Sequence, residues 1–108
     1  MAAAPEIAPQ ELKRLLDAGG DATVLDVREP WEYAIAHVTG SINIPLGEVP
    51  ARLDELDRAQ PVIVMCKSGG RSRRAADFLS THGFGQVSNL TGGIDAWSRD
   101  IDTSLPTY

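Results

Sequence analysis

The chain of 108 residues has one cysteine, Cys66, so no disulfide can form within it. No Cys/His cluster has metal-ligand spacing, and neither a metal nor an organic cofactor is implied. No apolar run approaches the roughly 20 residues that span a bilayer, so no membrane partner is expected. The opening, MAAAPEIAPQ, has neither a basic n-region nor a long apolar stretch; it does not read as a secretion signal, and a cytoplasmic location is expected. Basic residues are outnumbered, 10 against 15 acidic, and a net charge of −5 argues against nonspecific nucleic-acid binding. Internal repeats, low-complexity segments and an obvious linker are absent as well. The length suits one domain with a real core and is too short for two, so residues 1–108 are read as a single domain.

What is present is ordinary in bulk, with 43% apolar residues, and informative in order. Ile7 is expected in a short first strand. PQELKRLLDAGG reads as a helix, with Pro9 in its first turn, Leu12, Leu15 and Leu16 on one face, and Gly19-Gly20 ending it. ATVLDV (22–27) is a β-branched run typical of a strand buried on both faces. A short helix opened by Pro30 and a brief strand, SINIP, follow. Val49, Leu53 and Leu56, at i, i+4 and i+7, predict another helix starting near Pro50. PVIVMC (61–66) is the most strongly apolar strand. A helix over 71–82 places Ala75, Ala76 and Leu79 on one stripe and stops at Gly83. QVSNL is the last strand, and GGIDAWSRDI the last helix, with Ile94, Trp97 and Ile101 in register. Strands alternating with helices across short loops predict an α/β fold, a parallel sheet covered on both faces. In such folds ligands bind beyond the carboxyl ends of the strands, and Cys66 stands at one of those ends.

Charge is concentrated there too. Lys67, Arg71, Arg73 and Arg74 give the nine residues 66–74 a local charge of +4, so the remainder sums to −9. A basic island in an acidic chain is a plausible landing site for a small anion. In the loop CKSGGRS, Gly69 and Gly70 can take backbone angles closed to other residues, so the chain can curl tightly. Successive N–H groups then point inward as a nest, and the next helix adds its unpaired N–H groups and the positive end of its dipole. A thiol at the centre has its pKa lowered. Arg71, and Lys67 from the rim, add charge of the same sense, and Ser72 can donate to the sulfur. The outcome is an activated nucleophile. The other reading of Cys66 is packing, since free cysteine is among the most buried residue types.

Several ordered segments, VLDVREPWEY, AHVTGSINIPL, CKSGGRSRRAADFL and GFGQVSNLTGGIDAW, resemble those of single-domain rhodaneses, which are sulfurtransferases. The resemblance covers nearly the whole chain. It implies a rhodanese-like parallel five-stranded sheet flanked by helices on both faces. It implies that Cys66 takes a sulfane sulfur from a small anionic donor such as thiosulfate, forms a persulfide, and passes the outer sulfur to cyanide, a thiol or a protein acceptor. It also implies that Asp26 and Arg28 lie near the loop and fix its shape; their bland reading is an ion pair at a strand end. The family commonly has Gly-His where this chain has Ala36-His37, and His37 is read as structural; His82 suits a helix C-terminus. The segment WSRDIDTSLPTY resembles the tail of rhodanese domains fused to adenylyltransferases that activate sulfur carriers. That makes a sulfur-carrier protein or a cysteine desulfurase a possible partner; otherwise Leu105, Pro106 and Tyr108 simply pack onto the body.

Other functions compete. Cell-cycle phosphatases share the implied fold, but their loop sets five residues between cysteine and arginine, and here only Lys67, Ser68, Gly69 and Gly70 intervene. A noncatalytic or relay module that docks a carrier or adenylyltransferase partner is the main alternative; modules of that kind often lack the cysteine. A thiol redox protein is disfavoured by the missing Cys-x-x-Cys pair.

Overall fold

The computed structural model describes residues 4–108. Its central strand is β4 (Val62–Met65), four apolar residues that are all buried. A strand apolar on both faces has to be covered on both faces, and parallel pairing through helical crossovers does this. β4 lies between β5 (Val87–Leu90) and β2 (Thr23–Asp26). The two-residue edge strands β1 (Glu6–Ile7) and β3 (Ile42–Asn43) complete a five-stranded sheet, ordered β1-β5-β4-β2-β3 and parallel throughout. The register sets Asp26 beside Met65 and Asn89 beside Val64, so strand ends from distant parts of the chain meet around Cys66.

The period-2 alternation of the strands divides the core. Leu25, Val27, Val62, Val64, Cys66 and Val87 face one cluster, shared with Ala75, Ala76 and Leu79 of α3 (Gly70–Ser80). Ile7, Val24, Ile63, Met65 and Leu90 face the other, shared with Leu12 of α1 (Pro9–Asp17) and with Ile94 and Trp97 of α4 (Gly93–Asp100). Each fully buried Leu or Val contributes about 2 kcal/mol before chain entropy is set against it. The short helix α2 (Pro30–Ile35) follows β2 at the carboxyl end of the sheet. Among the described residues no helix is long and apolar enough to cross a membrane.

Three local expectations need correction. The segment starting at Pro50 is not an α-helix but a 3-10 segment, Pro50–Glu55, preceded by another, Leu46–Glu48, with Val49 and Leu56 still buried. Inside the second segment Arg52 departs from helical angles (φ −120°, ψ 21°), so the regular ladder does not propagate. Leu15 is 42% exposed: Leu12 and Leu16 carry the contact with the core, and Leu15 falls on the flank of the stripe. The helix predicted over 71–82 begins and ends earlier, at Gly70 and Ser80, and Gly83 with φ +90° follows its last turn.

Candidate active site

Cys66 follows the last residue of β4 and is 1% exposed. Its Sγ accepts a hydrogen bond from the Gly69 N–H at 3.1 Å and lies 3.3 Å from Ser72 Oγ. The N–H groups of Ser68 and Ser72 are directed at it as well. Gly69 turns the chain with φ +115°, a conformation that other residues rarely adopt, and its carbonyl accepts the Arg73 N–H as α3 begins. Burial pushes the Cys66 thiol up, but the hydrogen bonds from Ser72, Gly69 and Ser68 outweigh it and hold the thiol below its ordinary range. Gly70 does not use the freedom expected of it. It has no positive φ, opens α3, and has open space where a side chain would go.

A second wall of the loop was not anticipated. The first N–H groups of α4 grip the loop from behind: Ile94 N–H donates to the Cys66 carbonyl (2.9 Å) and Asp95 N–H to the Lys67 carbonyl (3.1 Å). Because a trans peptide plane sets C=O and the next N–H in opposite directions, fixing the Lys67 carbonyl toward α4 turns the Ser68 N–H toward the sulfur. This approach needs glycine. A Cβ on Gly93 would lie 2.3 Å from the Cys66 carbonyl oxygen, and Gly93 also has φ +57°. In the sequence this GG stands at the start of the last helix; its grip on the loop was not visible there.

The basic island is largely neutralised. Arg71 makes a two-pronged pair with Glu32, Nη1 to Oε1 at 2.5 Å and Nη2 to Oε2 at 3.0 Å. Lys67 pairs with Asp95 at 3.1 Å, and Arg73 with Glu6 and Asp77. Among the described residues only Arg74 of the four lacks a carboxylate partner; it lines an apolar groove with Leu46, Val49, Pro50, Ala75 and Phe78. The basic island expected from the sequence is thus met by acidic residues from β1, α2 and α4 that fold back onto it. Glu32, which holds Arg71 beside the loop, is the residue of this site that the sequence did not single out. Hydrogen bonding from Arg71, aided by the Glu29 N–H and Tyr108 against the upward push of burial, holds its carboxyl at about 2.

Asp26 and Arg28 are both fully buried and form a close ion pair, Nη2 to Oδ2 at 2.7 Å. The remaining Arg28 side-chain hydrogen bonds go to the carbonyls of Glu32 and Ala36 and to Tyr108 Oη at 2.9 Å. None goes to residues 66–72; the pair reaches the loop through Tyr108 Oη, which donates to Glu32 Oε2 at 2.8 Å, and then through Arg71. Lys67 Nζ sits 4.9 Å from the centre of the Tyr108 ring. Leu105 and Tyr108 pack against the α1–α4 side of the core, whereas Pro106 is exposed. His37 stacks on Tyr33 and bonds its carbonyl, and His82 bonds the Phe78 carbonyl at the end of α3. Neither approaches the sulfur as a base within hydrogen-bonding reach. Among the described residues no three or more His, Cys, Asp or Glu are gathered so as to hold a metal ion.

A buried sulfur ringed by N–H donors, with no base beside it, suits chemistry in which negative charge stays on sulfur. The rhodanese-like domain model matches residues 8–100. The thiosulfate sulfurtransferase GlpE of Actinobacillus pleuropneumoniae is 38% identical over 94 residues, 87% of this chain and 86% of that one. The maize adenylyltransferase and sulfurtransferase MOCS3-1 is 35% identical over 106 residues, 92% of this chain but 23% of its own length. A rhodanese-related protein from Thermoplasma volcanium superposes with a TM-score of 0.80 at 35% identity, covering 94% of this chain and 95% of that one. The chain spans about half or less of the length of several curated relatives that it matches.

Proposed function

The chain belongs to the rhodanese-like domain family, the rhodanese-type sulfurtransferases, and on that premise we propose that Cys66 carries a sulfane sulfur as a persulfide. The observation that carries the reading is the convergence of loop N–H groups and the Ser72 hydroxyl on one buried thiol held below its ordinary range. In the first step the Cys66 thiolate attacks the outer sulfur of thiosulfate. An Sγ–S bond forms, the S–S bond of the donor breaks, and sulfite leaves with the electron pair. The negative charge moves to the outer sulfur, where preorganised N–H donors stabilise it without having to rearrange. In the second step a nucleophilic acceptor, cyanide in the simplest case, takes the outer sulfur as thiocyanate and Cys66 returns as thiolate.

Within this proposal the whole span 1–108 acts as one unit, and Lys67, Ser68, Gly69, Gly70, Arg71 and Ser72 form the persulfide-holding loop. Asp26 and Arg28 support it indirectly, by anchoring Tyr108. A cytoplasmic setting belongs to the same reading, because a reducing compartment keeps a reactive lone thiol free. Relatives that join a sulfurtransferase to an adenylyltransferase favour a sulfur-carrier protein as acceptor, and a cysteine desulfurase persulfide is the alternative donor to thiosulfate. The test is thiocyanate formation from thiosulfate and cyanide by the wild type beside Cys66→Ser. Turnover that disappears with the sulfur atom supports the reading; equal turnover by the serine variant overturns it.

A further inference from the structure

Behind the nucleophile lies a buried amide that the chemistry above does not use. Asn89, on β5, is 3% exposed. Its Nδ2 donates to Glu6 Oε2 at 3.0 Å and to the Gly69 carbonyl at 3.3 Å. Two acceptors on that side fix the amide orientation, since flipping it would set Oδ1 against two oxygens. Oδ1 therefore faces Ser72, whose Oγ is 2.5 Å away. Ser72 Oγ is also 3.3 Å from Cys66 Sγ. A serine hydroxyl has one proton. Asn89 Oδ1 and the sulfur compete for it, and the shorter contact belongs to the amide.

We propose that Asn89 is a positioning residue that decides which of two acceptors, its own Oδ1 or the Cys66 sulfur, receives the single Ser72 proton. With a neutral thiol the hydroxyl donates to Asn89 and offers the sulfur only a lone pair. When the sulfur becomes anionic, as thiolate or persulfide, the hydroxyl rotates and donates to it instead. The proton stays on Ser72 Oγ throughout; only the O–H bond turns. Asn89 thus restrains the thiolate of the resting protein while leaving a donor ready for the charged intermediate. This rests on Cys66 being the nucleophile, but its test does not depend on sulfur transfer.

Charged groups around the sulfur bear on any titration. They are Arg71 and, further along, Arg73 on α3; Glu6 on β1; Asp26 and Arg28 at the end of β2; Glu32 on α2; Asp95 on α4; and Lys67 in the loop itself. Each of these is ion-paired; the substitutions at 89 and 72 remove none of these charges, and of the group only Glu6 loses a hydrogen bond, the one from Asn89 Nδ2.

The experiment is the pH dependence of Cys66 alkylation by iodoacetamide in wild type, Asn89→Leu, Ser72→Ala and the double variant, with Asn89→Ala as a second route should leucine prevent folding. Losing Oδ1 frees the Ser72 proton for the sulfur. The titration midpoint then moves down, and well below it the thiolate population rises about tenfold, the scale of one hydrogen bond to a charged group. A more stable thiolate is less nucleophilic, so the alkylation rate there rises roughly threefold. In the Ser72→Ala background the same substitution produces no downward movement, because there is no proton to redirect. A midpoint that rises or stays put in Asn89→Leu, or moves equally in both backgrounds, would show that Asn89 merely props up Gly69 and would overturn the proposal. Failure of the wild type to form thiocyanate would instead count against the functional reading and leave this comparison intact.

Discussion

At the scale of single residues, the pair Arg71–Glu32 connects stability to the site. The Glu32 carboxyl sits at about 2 in the folded chain against 4.5 without its partners. The folded state thus binds its proton less readily than the unfolded one. Its contribution is complete above about pH 4.5 and is lost as the pH falls from there toward 2. Arg71→Ala should cost about 2 kcal/mol at neutral pH, the loss of a charged hydrogen-bonded partner from a buried carboxylate. The gap from wild type should narrow on acidification, which denaturant titrations at several pH values would read. Sulfite release from thiosulfate should slow in the same variant while its circular dichroism stays native. A gap that does not change with pH would show that Arg71 acts otherwise. The Cys66 loop was legible because thiol, glycines and arginine are contiguous. Glu32 was not: a glutamate in the first turn of a helix satisfies the macrodipole and needs no other reason to be there.

At the scale of elements, α4 as well as α3 holds the loop. Gly93→Ala forces a Cβ against the Cys66 and Lys67 carbonyls at a residue with positive φ. A loss of about 3 kcal/mol and of most sulfur loading is expected. Gly70→Ala, by contrast, meets open space in the first turn of a helix and should leave the melting temperature unchanged or slightly raised. Equal melting temperatures for the two variants would contradict the assigned grip. The apolar periodicity of α3 and α4 and the β-branched run of β4 were readable, since each is decided by neighbours in sequence. The 3-10 segments after Leu46 were not, because Val49, Leu53 and Leu56 also pack on the core from a tighter helix. Nor could sequence reveal that Gly93 meets the carbonyl of Cys66, a contact made only when β4 and β5 pair.

At the scale of the molecule, strand order is what assembles the site. The parallel sheet was predictable from alternating strands and helices, but the order β1-β5-β4-β2-β3 brings together groups that nothing in the sequence links. Asp26, Arg28, Tyr108, Glu32 and Arg71 then form one hydrogen-bonded chain from the core to the loop. Tyr108→Phe removes only the hydroxyl that joins its two halves. It should cost about 1 kcal/mol in denaturant unfolding and slow sulfur loading, with the Lys67–ring contact kept. Unchanged stability and loading would mean that the two halves are independent. All of this serves one claim, that Cys66 holds transferable sulfur. The most direct check is the intact mass of reduced protein before and after thiosulfate, or a desulfurase with cysteine, beside Cys66→Ser. One added sulfur atom is expected on the wild type alone, removed again by cyanide. No gain with either donor, or the same gain on the serine variant, would contradict it.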